Sequence, residues 1–231
     1  MNSSRHHLLL LPLLAAAAAC TAEKNISIVV TAARAPGDNC DFPDPSKYVE
    51  GGAIDMSVFG PNSSYFQIFS WESQLQQIST TVNGDTIAGP QANTFIANRV
   101  ELTYLLVNGT NPPNGLINMS ASIAAGATSD KNSVGPELLT PDAAQAADAA
   151  TTVGASQTLL VTFQIAGNLV SGASSATNPV TFPLTLFRCP PAALNAECAA
   201  PKSDLTCPTN YHSQTTSCNI PGRDIAYCVH D

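Results

Sequence analysis

The sequence predicts an all-β chain, an antiparallel β-sandwich of about seven to nine strands with one short helix, followed by a disulfide-rich irregular C-terminal tail. Three observations predict it. Apolar and polar residues alternate with period two in several short segments, the mark of half-buried strands. Clusters of Gly, Pro, Asn, Asp and Ser recur between those segments and punctuate them as turns. One segment alone, after Thr140, opens like a helix.

Taken in order, Asn25–Ala32 is a β-branched strand, and Pro36–Asn39 is a turn-rich loop that leads to Cys40, Pro43 and Pro45. Ala53–Phe59 alternates, with Ile54, Met56 and Val58 on one face and Asp55 and Ser57 on the other. Pro61–Ser64 interrupts it. Tyr65–Leu75 is an aromatic-rich strand that holds Trp71, the single tryptophan. Asn83-Gly84-Asp85 is a turn signal. Val100–Val107 places Val100, Leu102, Tyr104 and Leu106 on one face, and Asn111–Gly115 turns the chain into Leu116–Ala125.

Thr140-Pro141-Asp142 reads as a helix start: a hydroxyl cap, Pro at the first helical position and an early acid. The Ala-rich Ala143–Ala150 continues it. Gln157–Ala166 sets Leu159, Val161, Phe163 and Ile165 on one face, and Gly167-Asn168 then turns it. Val180–Phe187 closes the domain. No repeat of 20–50 residues runs through the chain.

The N-terminus is a export leader by its pattern. Met1–His7 is short and polar with Arg5 as its only fixed charge, and Leu8–Ala19 is apolar apart from Pro12. The run is too short to span a bilayer, which takes about 20 apolar residues. A basic start, an apolar core and a small-residue exit describe a cleaved signal peptide. Ala17-Ala18-Ala19-Cys20 admits two readings: a lipobox that makes Cys20 a lipid-bearing N-terminus, or an ordinary A-x-A site. In the first reading, resemblance to Gram-negative lipoproteins implies the outer membrane rather than retention at the inner one, because Thr21 rather than Asp follows Cys20. The second makes it a secreted soluble protein. The expected organisation is a signal peptide over 1–19, lipid attachment and spacer over 20–24, a β-sandwich over 25–188 and a Cys-rich tail over 189–231.

Charge excludes some partners. The net charge is −8, and loss of Arg5 with the leader makes it −9. An acidic chain without a basic stripe does not bind nucleic acid, because phosphate neutralisation needs clustered Lys and Arg.

The seven cysteines are Cys20, Cys40, Cys189, Cys198, Cys207, Cys218 and Cys228. An odd cysteine in an exported protein calls for an explanation, and lipid on Cys20 leaves an even set of six. Full pairing of Cys40, Cys189, Cys198, Cys207, Cys218 and Cys228 requires one tail cysteine to bond Cys40. Such a bridge closes a long loop and contributes on the order of 5 kcal/mol in the chain-entropy account.

Leu160–Gly167, Val170-Ser171-Gly172 and Val180–Leu184, running into a Cys-rich tail with Pro221–Asp224 and a final Cys228, resemble a family of uncharacterised myxobacterial-type lipoproteins. The resemblance implies an envelope location and a β domain with a Cys-rich tail. It implies no activity, cofactor or catalytic residue.

Other chemistry is weakly represented. The only histidines after the leader are His212 and His230, and there is no Gly-x-Ser-x-Gly elbow. A hydrolytic triad would have to draw on Ser213 or Ser217 with His212 and Asp204. No Cys-x-x-Cys or paired-His spacing suggests zinc. Asp38, Asn39, Asp41 and Asp44 form an oxygen-rich loop without the calcium-loop pattern. Tyr65, Phe69 and Trp71 offer either a sugar-stacking platform or core packing. The leading expectation is a non-catalytic cell-envelope lipoprotein with no cofactor and no metal, held at the membrane through lipid on Cys20. The alternatives are a surface binding or adhesion module for glycan or protein, and a secreted hydrolase.

Overall fold

The computed structural model describes residues 26–36, 42, 44–77, 80–82, 85–87, 93–188, 211–214 and 227–230, the backbone alone at residues 59, 80–82, 85–87, 211–214 and 227–230. In chain order the strands are β1 (Ile28–Arg34), β2 (Tyr48–Val49), β3 (Gly52–Asp55), β4 (Phe69–Ser73), β5 (Thr80–Val82), β6 (Asp85–Ile87) and β7 (Phe95–Leu106). They continue as β8 (Gly115–Ile123), β9 (Ser133–Val134), β10 (Ser156–Leu169), β11 (Ser174–Ala176), β12 (Val180–Phe187), β13 (Tyr211–Gln214) and β14 (Tyr227–His230). Two helices interrupt them, α1 (Met56–Phe59) and α2 (Pro141–Ala150).

One sheet runs β13-β14-β2-β1-β4-β9 and the other β3-β12-β10-β7-β8, with β11 pairing to β10. Their apolar faces share one core. Phe69 of β4 meets Phe163 of β10 at 4.7 Å between ring centroids and Phe182 of β12 at 5.7 Å. Trp71 meets Phe95 of β7 edge to face. Along β7 the alternation expected at Val100–Leu106 holds, with Val100, Leu102, Tyr104 and Leu106 all buried.

The expectation of an all-β antiparallel sandwich is corrected. The chain adopts a mixed α/β fold with a curled half-barrel sheet and two helices. The curl is visible where β1 reaches across to the other sheet. Ile28 bridges Thr177 in parallel, while the Asn178 side chain accepts from Val30 N at 2.7 Å and donates to Val30 O at 3.0 Å. Nor is the pairing purely antiparallel, because β3 lies parallel to β12 from Gly52↔Leu184 to Asp55↔Phe187. Period-two alternation fixes which residues share a face, but not the direction of the neighbouring strand.

Ala53–Phe59 shows why the helices escape a reading by alternation alone. The strand stops at Asp55, whose Oδ1 accepts from Ser57 N at 2.8 Å and from Ser57 Oγ at 2.7 Å. This is an N-cap, and it turns Met56–Phe59 into α1. Val58, expected inward with Ile54 and Met56, is exposed.

The start read at Thr140-Pro141-Asp142 is that of α2. Thr140 Oγ1 accepts from Ala143 N at 3.2 Å, and Ala143, Ala144 and Ala147 are buried against the core. Arg188 ties down the other end: its Nε donates to Thr151 O and its Nη2 to Asp148 O, both at 3.0 Å, and it pairs with the Asp148 carboxylate. A cation over the last carbonyls suits the negative end of a helix.

The disulfide network expected through Cys40, Cys189, Cys198, Cys207, Cys218 and Cys228 is also corrected, since no disulfide bond occurs among the described residues. Cys228 belongs to β14, where the backbone alone is described; the other five, like Cys20 and the whole of 1–25, lie outside the described residues. The described link between tail and domain is a strand pairing. β13 pairs antiparallel with β14, and β14 meets β2 at Val229↔Val49.

Candidate functional site

Two irregularities of register fall side by side in the sheet that holds β7, β8 and β10. Against β10, β7 carries an extra residue between Ala97 and Arg99, opposite Ala166 and Gly167. Against β8, the register of β7 shifts at the same place. Bulges of this kind re-aim side chains and concentrate near functional sites. Here Asn98 and Arg99 are both exposed in succession, while Ala97 and Val100 on either side stay buried.

Gly167 makes the close approach of β10 to the bulged β7 possible. A Cβ there would stand 2.0 Å from Ile96 O and 2.8 Å from Ile96 C, so no side chain fits against the bulged strand. The chain then turns at Val170–Gly172, where Gly172 takes φ 92° and its N–H bonds Leu169 O at 2.8 Å. The turn returns β11 alongside, pairing Ala166↔Ala176, Gly167↔Ser175 and Asn168↔Ser174.

A pocket of about 150 Å³ results, lined by Arg99, Glu101, Gln164, Asn168, Ser174 and Ser175 around a floor of Ala166, Gly167 and Ala176. Arg99 Nε pairs with Glu101 Oε1 at 2.9 Å, with both side chains close to half exposed. Exposed pairs of this kind contribute about 0–1 kcal/mol to stability. Gln164 Nε2 donates to Thr177 O, and Ser174 Oγ donates to Asn168 Oδ1 at 3.3 Å. The remaining polar atoms have no protein partner among the described residues: Arg99 Nη1 and Nη2, Glu101 Oε2, Gln164 Oε1, Asn168 Nδ2 and Ser175 Oγ. Donors and acceptors are mixed, and the one cation stands beside the one anion.

The residues singled out by sequence do not gather here. Trp71, Tyr65 and Phe69 are core side chains, only 1–2% exposed, so they form no platform for a ligand. Asp44 Oδ1 accepts from Ser46 N at 2.9 Å and from Ser46 Oγ at 2.6 Å, an Asx turn. The Ser46 hydroxyl is the main cause holding the Asp44 carboxyl below its ordinary pKa, followed by the Ser46 backbone N–H. Asp38, Asn39 and Asp41 lie outside the described residues, and no group of three His, Cys, Asp or Glu able to hold a metal occurs among those described. His212 and Ser213 belong to β13, with Cα partners Val229 and Cys228, and His230 belongs to β14; Ser217 and Asp204 lie outside the described residues.

The pocket itself escaped the sequence reading. Gly167-Asn168 is not the end of a strand, since β10 continues to Leu169. The bulge shows in the burial pattern of β7 and not in its apolar residues, because exposed Ile96 keeps the even parity. Buried positions fall on odd numbers at Phe95 and Ala97 and on even numbers from Val100 onward, and that change of parity is the bulge.

The fold and site together define a mixed α/β half-barrel with a small polar pocket on the outer face of one sheet. No protein-family model, no curated protein and no solved structure matches the chain.

Proposed function

We propose that this protein is a non-catalytic, exported lipoprotein of the cell envelope, related to the myxobacterial-type lipoproteins that it resembles. One observation carries the reading: an apolar leader over Leu8–Ala19 that ends in small residues directly before Cys20. Cleavage there makes Cys20 the N-terminus. A thioether-linked diacyl group with an acylated amine supplies more than one chain, the number that stable anchoring takes. The first strand opens at Ile28, so only a short spacer separates the lipid from the folded domain.

Expression in the native host with an alkyne-bearing fatty acid tests the anchor. The wild-type chain takes up the label and sediments with membranes, and Cys20→Ser abolishes both. Label-free wild-type protein with Cys20 at its mature N-terminus overturns the reading.

A second reading, a binding module, is favoured by the pocket around Arg99 and Asn168. Its unpartnered donors and acceptors surround a floor of small residues where β10 pairs with the bulged β7 and with β11.

A further inference from the structure

We propose that the pocket at the bulge binds one neutral saccharide unit, an inference that rests on the binding-module reading. Size sets the first bound. Sites for drug-sized ligands begin at roughly 300 Å³, and this pocket of about 150 Å³ accepts a single ring.

The electrostatics set the second. Arg99 and Glu101 already satisfy each other through Nε and Oε1 at 2.9 Å. A free anion bound to the Arg99 guanidinium would sit beside the Glu101 carboxylate, and like charges at that range repel. A zwitterion could meet the same free atoms, its carboxylate at an Arg99 Nη and its ammonium at Glu101 Oε2, and glycine is therefore one of the competing probes. A neutral ring with neighbouring hydroxyls leaves the pair intact. Each hydroxyl both donates and accepts. One hydroxyl can therefore donate to Glu101 Oε2 while its neighbour accepts from an Arg99 Nη. Hydrogen bonds to charged groups are the stronger kind, which favours this edge as the anchor.

The rest of the wall repeats the alternation. Asn168 Nδ2 and Gln164 Oε1 are a free donor and a free acceptor, each on an amide whose other atom is engaged. Those second bonds hold the amides in place: Gln164 is tied to Thr177 O and Asn168 to Ser174. The Ser175 hydroxyl can serve either role. Under this polar rim, Ala166 and Ala176 face each other as cross-strand partners beside Gly167. A sugar ring has the matching shape, with hydroxyls around its equator and C–H bonds on its faces. The small side chains of Ala166 and Ala176 let the ring approach, whereas Gly167 is required by the Ile96 backbone beside it.

The test titrates the full chain, solubilised in a polyoxyethylene-headed detergent that carries neither sugar nor charge. Backbone amide NMR shifts are followed against D-glucose, D-galactose, D-mannose and N-acetyl-D-glucosamine, with glycine and inorganic phosphate as the competing chemistries. At least one saccharide is expected to give saturable shifts at Arg99, Gly167, Asn168 and Ser175. A shallow site for one ring implies a Kd of about 1 mM. Glu101→Ala and Asn168→Ala each weaken binding about tenfold, while Thr103→Ala, on the same strand but outside the pocket, leaves it unchanged. Saturation by glycine or phosphate alone overturns the saccharide and leaves a binding module. No saturable shift with any of the six probes overturns both. Binding that survives Glu101→Ala and Asn168→Ala at wild-type strength overturns the site.

Discussion

Arg34 on β1 donates from Nε to Ser70 Oγ on β4 at 2.8 Å, a side-chain bond buried within the sheet. The same guanidinium reaches out with Nη2 to Ser129 O at 2.7 Å and Asn132 O at 2.9 Å. The fork therefore joins two strands to the loop that precedes β9. Burial lowers the Arg34 pKa from the ordinary arginine value, and Asp130 opposes that shift. A guanidinium remains charged throughout the accessible pH range even so.

Replacing Arg34 by Met is expected to destabilise the fold by about 3 kcal/mol, because it strands a buried hydroxyl and two carbonyls at once. Arg34→Lys should recover only part of this. An ammonium is a point charge and cannot span three acceptors with a planar fork. Denaturant unfolding of both variants measures the two losses. Equal stability of Arg34→Lys and wild type would contradict the role given to the fork.

Gly167→Ala is expected to cost more than about 3 kcal/mol, since its Cβ would press on backbone atoms of Ile96 that cannot rotate away. Gly154→Ala is the comparison. Gly154 has φ 77° with nothing within 4 Å of an added Cβ, so only backbone strain opposes the change. That strain is on the order of 1 kcal/mol. A thermal melt that ranks Gly154→Ala below Gly167→Ala in stability would reverse the argument.

The sequence was most legible where one face of an element meets the core. Val180–Phe187 is β12 to the residue, and Thr140-Pro141 does begin α2. It was least legible where a local hydrogen bond competes with alternation. Asp55 has the same pattern around it as a strand residue, yet its carboxylate caps a helical turn. The parallel pairing of β3 with β12 joins segments more than a hundred residues apart, and no local pattern encodes such a choice. The pocket was missed for a related reason. Arg99, Glu101, Gln164 and Asn168 are polar residues on a solvent-facing side, and only the bulged register brings them round one space.

Trp71 makes burial directly measurable, because it is the single tryptophan. It lies 2% exposed, with its ring in a T-shaped contact with Phe95. Emission from the native chain should be blue-shifted and nearly insensitive to acrylamide, and both properties should be lost together on unfolding. Quenching of the native chain as efficient as that of free tryptophan would place Trp71 at the surface and revive the aromatic platform.

Tyr104 couples β7 to the start of α2. Its hydroxyl accepts from Thr140 N at 3.0 Å, while Thr140 caps the helix and its methyl packs where a Cβ on Gly115 would stand 2.3 Å away. Burial raises the Tyr104 pKa above its ordinary value of 10.0, outweighing the opposing hydrogen bonds from Thr140. Below pH about 10 the phenol is protonated in both the folded and the unfolded chain, so its contribution to stability is fully present. Above that pH the unfolded chain loses this proton while the folded chain keeps it. The unfolded state then binds fewer protons, and stability falls with rising pH until the folded group itself ionises. Tyr104→Phe removes that fall but leaves Thr140 N–H without its acceptor, a loss of about 1 kcal/mol at neutral pH. The variant should therefore be less stable than wild type at pH 7, with the gap narrowing as the pH rises above about 10. Denaturant unfolding of the two chains across that range measures it, and a gap independent of pH would show that Tyr104 does not ionise on unfolding as described.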